Sequence, residues 1–355
     1  MKIAVLREIT PVRSVQDLVT AAREILSRDT VLSWRFTPQE GPKQADTVVS
    51  LHVAGQDHSF LAEFKIRPTA DHIEDLAQRA STAAHPPLLI VPRLTERFVE
   101  LCRKSGVACL DLNGRVWIQR GSVLVDRSPS PDHEPVVALP TEPELFSGKS
   151  ARVVRSFLSP RRSWTQAELA SATGVSRPQL SRVLESLASQ GFVRREGSSR
   201  GGTWITTQPD GLLDAWARRD IWPRRVTVHQ YAILSPTLES AARQLQAAIG
   251  SNAVAFTQWF AATHRHSYTD APVLSAYVRE LPGAEALKPL SARPVSDGGR
   301  LWLIRPHDDG VFQFTQEAAG FVLVSDAQIY LDLLQVGQRG PDAANALRQW
   351  EGFAR

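Results

Sequence analysis

Three residues have the types and spacing for metal-assisted hydrolysis. Asp46 and Glu63-Phe64-Lys65 lie in segments that read as neighbouring strands. Residues two apart in a strand project to the same side, so the Glu63 carboxylate and the Lys65 ammonium emerge together. An aspartate on the adjoining strand of a hairpin can meet them. Two carboxylates hold Mg²⁺, and a lysine beside them orients or polarises an attacking water. The plain alternative is a surface ion pair between Glu63 and Lys65. Glu24, on the helix expected before these strands, offers a further carboxylate. A second constellation suits a different task. Thr165, Ser176, Arg177, Gln179, Ser181 and Arg182 crowd one stretch with donors that contact base edges and phosphates. His264-Arg265-His266 has no cysteine or carboxylate at metal-ligand spacing and reads as surface.

The elements that must position the first group are legible. Val15–Ser27 carries Leu18, Ala22, Ile25 and Leu26 at helical spacing. Strand-like runs follow at 30–36, 47–53 and 59–66, the last two joined by a hairpin loop at 54–58. A helix over 69–84, the apolar strand Leu88–Val91, a helix over 94–105 and strands near 107–110 and 115–119 complete a mixed sheet with helices against it. Asp111-Leu-Asn-Gly114 is a tight turn with Asn113 or Gly114 left-handed. This α-β-β-β-α-β order, with Asp46…Glu63-x-Lys65, resembles the PD-(D/E)XK nuclease superfamily over residues 1–127. The resemblance implies a restriction-endonuclease-like α/β domain, metal ligands at Asp46 and Glu63, and Asp46, Glu63 and Lys65 as the catalytic set. A vestigial scaffold that holds DNA without cutting it is the alternative.

The second group sits in the strongest local pattern of the chain. Thr165 with Glu168 forms a capping box, Gly174 frees a turn, and Ser176 caps a further helix with Pro178 in its first turn. Leu180, Val183, Leu184 and Leu187 must face a core, which leaves Arg177, Gln179, Ser181 and Arg182 outward on the helix's first half. Two strand-like runs then flank a Gly/Ser tip bearing Arg200. The whole resembles a winged helix-turn-helix of the MarR-like and related types. Local charge agrees: 149–225 holds 14 basic and six acidic residues, a balance of +8 inside a chain of net +4. A basic segment in an otherwise mildly acidic protein is the footprint of polyanion binding.

Past Val226 the chain alternates strand and helix. Ser325-x-x-Gln328-x-Tyr330-Leu-Asp332-Leu333, then Arg339-Gly-x-x-Ala-Ala-x-x-Leu347, resembles the end of AbiEi-type antitoxins of type IV toxin–antitoxin systems. That implies an antitoxin repressing its own operon, a cognate nucleotidyltransferase toxin as partner, and a nucleotidyltransferase-like C-terminal fold. Gly250-Ser251 is present, but no Asp-x-Asp pair follows it, so transfer chemistry is not expected. Asp332 and Arg339 read as an ordinary ion pair.

Composition bounds the rest. The chain's 355 residues suit two or three domains. No apolar run reaches the roughly 20 residues that span a bilayer. The charged N-terminus does not read as a signal peptide, and two cysteines, Cys102 and Cys109, make no disulfide framework. A cytoplasmic location is expected. Arginines number 35 against six lysines. The expected architecture is α+β and multidomain: 1–127 nuclease-like, 128–144 a proline-rich linker, 145–210 the winged helix, and 211–355 an α/β domain. The function read from this is a sequence-specific DNA-binding regulator, binding double-stranded DNA as a homodimer and needing no cofactor to do so. The other two readings are a Mg²⁺-dependent DNA nuclease delivered by its winged helix and a protein-interaction scaffold.

Overall fold

In the computed structural model the described residues are 10–12, 14–38, 47–53, 55–80, 85–129, 137–138, 144–159, 162–197, 202–337 and 339–354. They form two compact units, Met1–Pro143 with Leu184–Arg194, and Glu144–Val183 with Arg195–Arg355.

The first unit opens with β1 (Thr10–Pro11) and α1 (Val15–Ser27). Ser14 and Asp17 cap α1 reciprocally, the hydroxyl accepting from the Asp17 amide and the carboxylate from the Ser14 amide. Then come β2 (Ser33–Pro38), β3 (Thr47–Val53), β4 (Gln56–Phe64), α2 (Ala70–Ala80), β5 (Pro87–Val91), α3 (Glu96–Lys104), β6 (Ala108–Asp111), β7 (Val116–Arg120), β8 (Val123–Arg127) and β9 (Val137–Ala138). Strands β2 to β8 make one seven-stranded sheet in chain order, parallel only across β4–β5–β6, while β1 pairs with β9. β5 shows why the central run is apolar throughout. Leu88 and Ile90 join the core that holds Leu18, Ala22 and Leu26 of α1, whereas Leu89 and Val91 join that of Ile73 from α2 and Phe98 and Cys102 from α3. A strand covered on both faces has no polar side.

Several expected boundaries move. The Asp29 carboxylate accepts from the amides of Val31 and Leu32, and this side-chain turn delays β2 to Ser33. The hairpin loop expected over 54–58 is shorter: Gln56, Asp57 and His58 are already strand, paired with Val53, His52 and Leu51. Gly55 turns the chain with φ +77°, and a His52–Asp57 side-chain contact of 2.7 Å ties the strands there. The 111–114 turn forms as expected, with Gly114 at φ +99°. Asp111, buried, accepts from the amides of Leu94, Asn113 and Arg115, and burial lifts its pKa above the usual carboxylate value. Leu184–Arg194 also belongs to this unit, where Arg97 donates to the Gln190 carbonyl at 2.8 Å and lies over the Phe192 ring. Both cysteines are buried free thiols.

The middle segment runs α4 (Gly148–Leu158), β10 (Trp164–Thr165), α5 (Gln166–Thr173), α6 (Arg177–Ser189), β11 (Val193–Glu196) and β12 (Thr203–Thr206). Its three strands order β10-β12-β11. The remainder is α7 (Pro209–Ala217), α8 (Trp222–Arg225), β13 (Val226–Ala232), α9 (Leu238–Ile249), β14 (Val254–Thr257), α10 (Gln258–Arg265), β15 (Leu274–Val278), α11 (Ala284–Leu287), β16 (Arg293–Val295), β17 (Leu301–Pro306), β18 (Gln316–Ala318), β19 (Phe321–Leu323), α12 (Asp326–Leu333) and α13 (Gly340–Gln349). Its seven-stranded sheet orders β16-β13-β17-β15-β14-β19-β18. Every residue of α12 is buried, so this helix has no solvent face at all.

Candidate DNA interface

The helix-turn-helix is built by local rules. Thr165 accepts from the Glu168 amide at 3.2 Å, and Glu168 accepts from both the amide and the hydroxyl of Thr165 at 2.7 Å. α5 therefore starts where the sequence says it must, and Gly174 ends it at φ +64°. Leu169, Val175, Leu180 and Val183 are buried, as are Leu184 and Leu187 further along α6. Ser176, Arg177 and Arg182 are exposed, and Gln179 and Ser181 half-buried. Among the described residues, no carboxylate pairs with Arg177, and the Gln179 amide makes no hydrogen bond.

Two members of the expected set are otherwise engaged. The Thr165 hydroxyl belongs to the capping box, and Ser181 accepts from Gln166 Nε2 at 2.7 Å, tying α6 to α5. Arg182 Nε donates to the Pro178 carbonyl at 3.3 Å, which lays its guanidinium along the helix. Arg200 lies outside the described residues, between β11 and β12 in the sequence; Gly197, the last described residue before it, takes φ +89°.

On the other sheet, Glu63 near the end of β4 and Lys65 just beyond it do stand together, 3.2 Å apart. Arg79 of α2 reaches the second Glu63 oxygen at 3.5 Å and Asp75 at 3.0 Å. This is the plain ion pair enlarged to a small network, about a third exposed at Lys65. Asp46 lies outside the described residues, and Glu24 pairs with Arg28 on the surface of α1. Among the described residues no three His, Cys, Asp or Glu side chains gather as metal ligands. Glu63 alone, flanked by two cations, does not fit Mg²⁺; the fit depends on Asp46.

The sequence reading missed a larger polar cluster. Asp332, fully buried on α12, does not pair with exposed Arg339 but accepts from Thr257, Tyr277 (3.1 Å) and Gln328 (2.7 Å), and pairs with Arg225 at 2.8 Å. The reason is that α12 is buried all round, so the Asp332 carboxylate must find partners inside. Arg225 also grips both oxygens of Asp220, at 2.8 and 2.9 Å, and donates to Tyr277 at 2.8 Å. Burial alone would weaken the Arg225 guanidinium's hold on its proton, but these partners outweigh it and raise its pKa. Burial lifts the Asp220 carboxyl and the Tyr277 phenol. Beside them Arg155 of α4 donates twice to the Gln328 amide oxygen, at 2.7 and 3.2 Å. Gln328, Tyr330 and Asp332 are members of the motif read above. The signal available was an acid set between the leucines Leu331 and Leu333 near the end of a mostly apolar helix.

The family described as the IclR helix-turn-helix domain matches residues 148–197, from the start of α4 through β11. No curated protein matches the chain. The match makes the middle segment a helix-turn-helix DNA-binding domain, and it supports a DNA-binding transcriptional regulator with double-stranded DNA as its partner. Among the described residues no helix is long and apolar enough to cross a membrane.

Proposed function

We propose that this protein is a sequence-specific transcriptional regulator whose helix α6 reads the major groove with Arg177, Gln179 and Arg182. The carrying observation is the division of α6: its leucines and valine are buried, while the polar side chains of its first turns stay exposed or half-exposed. Arg and Gln at such positions suit guanine and adenine edges respectively. Ser176 and the wing residue Arg200 contact phosphates in this reading. Thr165 and Ser181 hold the helix pair together instead. The test selects a binding site from random duplexes and measures affinity by fluorescence anisotropy. Arg177→Ala or Gln179→Ala should weaken the selected site by about 1–3 kcal/mol if each reads a base. Unchanged affinity in the triple alanine variant would remove α6 as the reader.

The finer reading, an antitoxin repressing its own operon beside a nucleotidyltransferase toxin, rests on the 324–347 resemblance. Gln328 and Asp332 of that segment are fully engaged in the core, so toxin contact would have to use other residues.

A further inference from the structure

The second unit contains a cavity of about 340 Å³ lined by α4, α7, α8 and the 307–311 segment. That volume lies within the ~300–1,000 Å³ typical of small-molecule sites. Its walls are partly apolar, with Phe146, Ile221 and Val311, but its charges are unbalanced in one direction.

Arg155, Arg219, Arg224 and Arg225 all line it. Arg225 is neutralised by Asp220 and Asp332. Arg155 is not. It is 5% exposed, its described hydrogen bonds go to the neutral Gln328 amide, and its guanidinium lies 4.9 Å from the Trp216 ring centroid. Burial, aided by the neighbouring Arg225, pulls its pKa down to about 10 against the opposing pull of Asp308 and Asp332. Those carboxylates act on it without forming an ion pair and are held by other arginines, so this buried cation gains from an anion brought to it. Among the described residues, neither Arg219 nor Arg224 has a carboxylate within ion-pair distance. Of the lining carboxylates, Asp308 is gripped by Arg152 at 2.8 and 2.9 Å and Asp220 by Arg225, while Glu144 is exposed, as Arg219 and Arg224 are, so the cationic excess is modest and rests chiefly on Arg155.

A second observation points the same way. Trp216 lines the cavity with 1% of its surface exposed, and its indole N–H has no acceptor. Buried donors are nearly always paired, so an indole N–H without an acceptor on a residue of this cavity is open to one that a ligand brings.

We propose that this cavity binds a small anion, a carboxylate or phosphate attached to an apolar or aromatic body. The anionic group meets Arg155, Arg219 and Arg224, the Trp216 N–H donates to it, and the body lies against Phe146 and Ile221. Because α4 supplies Arg155 and opens the matched DNA-binding domain, the bound anion alters DNA affinity; this last step rests on the regulator reading, whereas binding itself does not.

Calorimetric titration of the full chain with phenyl phosphate, benzoate and inorganic phosphate separates the chemistries. At least one of the first two should bind, and more tightly than inorganic phosphate if the apolar walls take part. Arg224→Gln and Arg219→Gln should each weaken binding roughly tenfold, as expected for one charge-assisted hydrogen bond. Trp216→Phe, which keeps the ring and removes the donor, should weaken it about threefold or more. No heat with any probe at millimolar concentration, or unchanged binding in all three variants, overturns the site. DNA affinity measured with and without the best probe then tests the coupling: an unchanged value overturns the link to α4. A protein that binds the probe but no duplex at all contradicts the regulator reading and leaves the anion site standing.

Discussion

The two seven-stranded sheets each carry a cluster of charged side chains, and the clusters are opposites. Glu63, Lys65 and Arg79 stand partly in solvent at one end of β4, with Lys65 and Glu63 two residues apart. Asp332, Arg225 and Asp220 lie nearly sealed beside the other sheet, with partners from four separate elements and the Asp220 loop. An exposed pair gains little because water already solvates both ions. A buried set has left water behind, so each ion depends on every other. The accessible cluster has the residue types of a catalytic site, yet among the described residues its contacts are those of a salt-bridge network. The sealed one has no such resemblance, but it frames the wall of a cavity. Proximity in the chain and structural consequence are therefore separate matters here.

The largest expected effect breaks the sealed cluster. Asp332→Leu removes the acceptor for Thr257, Tyr277 and Gln328 and takes from Arg225 one of its two carboxylate partners, leaving Asp220 and the Tyr277 hydroxyl. Removing one partner of a buried set costs about 3–5 kcal/mol. Chemical unfolding followed through tryptophan fluorescence is suitable, since the Arg225 guanidinium lies 4.5 Å from the Trp222 ring centroid. A loss of under about 1 kcal/mol would mean that the cluster is no more tightly coupled than a surface pair.

The Arg152–Asp308 pair lies between the extremes, each side chain about a quarter exposed and the contact bidentate. Burial would raise the Asp308 pKa, but the Arg152 hydrogen bonds and the Gly310 amide prevail and hold it below the ordinary 3.8. A carboxyl depressed by folding contributes stability above its unfolded value and loses it as pH falls through the folded one. Asp308→Asn should therefore cost roughly 1.5–3 kcal/mol at neutral pH and much less once the wild-type carboxyl is protonated. Equal costs in unfolding experiments at pH 7 and well below 3.8 would show that geometry, not charge, holds this contact.

What could be read in the chain follows the range of the interaction that decides it. α1, β3, β5 and the α5–α6 turn rest on neighbours within a few residues, through the Ser14 and Thr165 caps, strand alternation and Gly174. They lie close to where periodicity puts them. β8 was not foreseen, because Val123–Arg127 alternates half-buried and exposed residues and its pairing with β7 supplies what its own pattern lacks. α10 was missed for another reason: it follows β14 without a connecting residue, Gln258 taking φ +52° at the junction. The α6 face was legible since burial of its leucines dictates what remains outside. The Asp332 cluster was not, because Thr257, Tyr277 and Arg225 lie 55 to 107 residues from Asp332. No local spacing announces such a meeting.

The smallest expected effect belongs to Glu63 and Lys65. A double-mutant cycle with Glu63→Gln and Lys65→Met should return a coupling of about 0.2–1 kcal/mol, as for other exposed pairs. It should shrink further in high salt, where the Debye length approaches 3 Å, about the length of the contact itself. Arg79 already shares Glu63, which spreads the charge and lowers the value of any single partner. The same variants test the hydrolytic alternative when plasmid and duplex oligonucleotides are incubated with Mg²⁺ or Mn²⁺. No cleavage above background is expected from the wild type. Cleavage by wild type that both variants abolish would overturn the comparison, since Glu63 and Lys65 would then be reacting groups brought together for chemistry. A coupling well above 1 kcal/mol without cleavage would instead place this pair with the sealed cluster, as a structural element of its sheet.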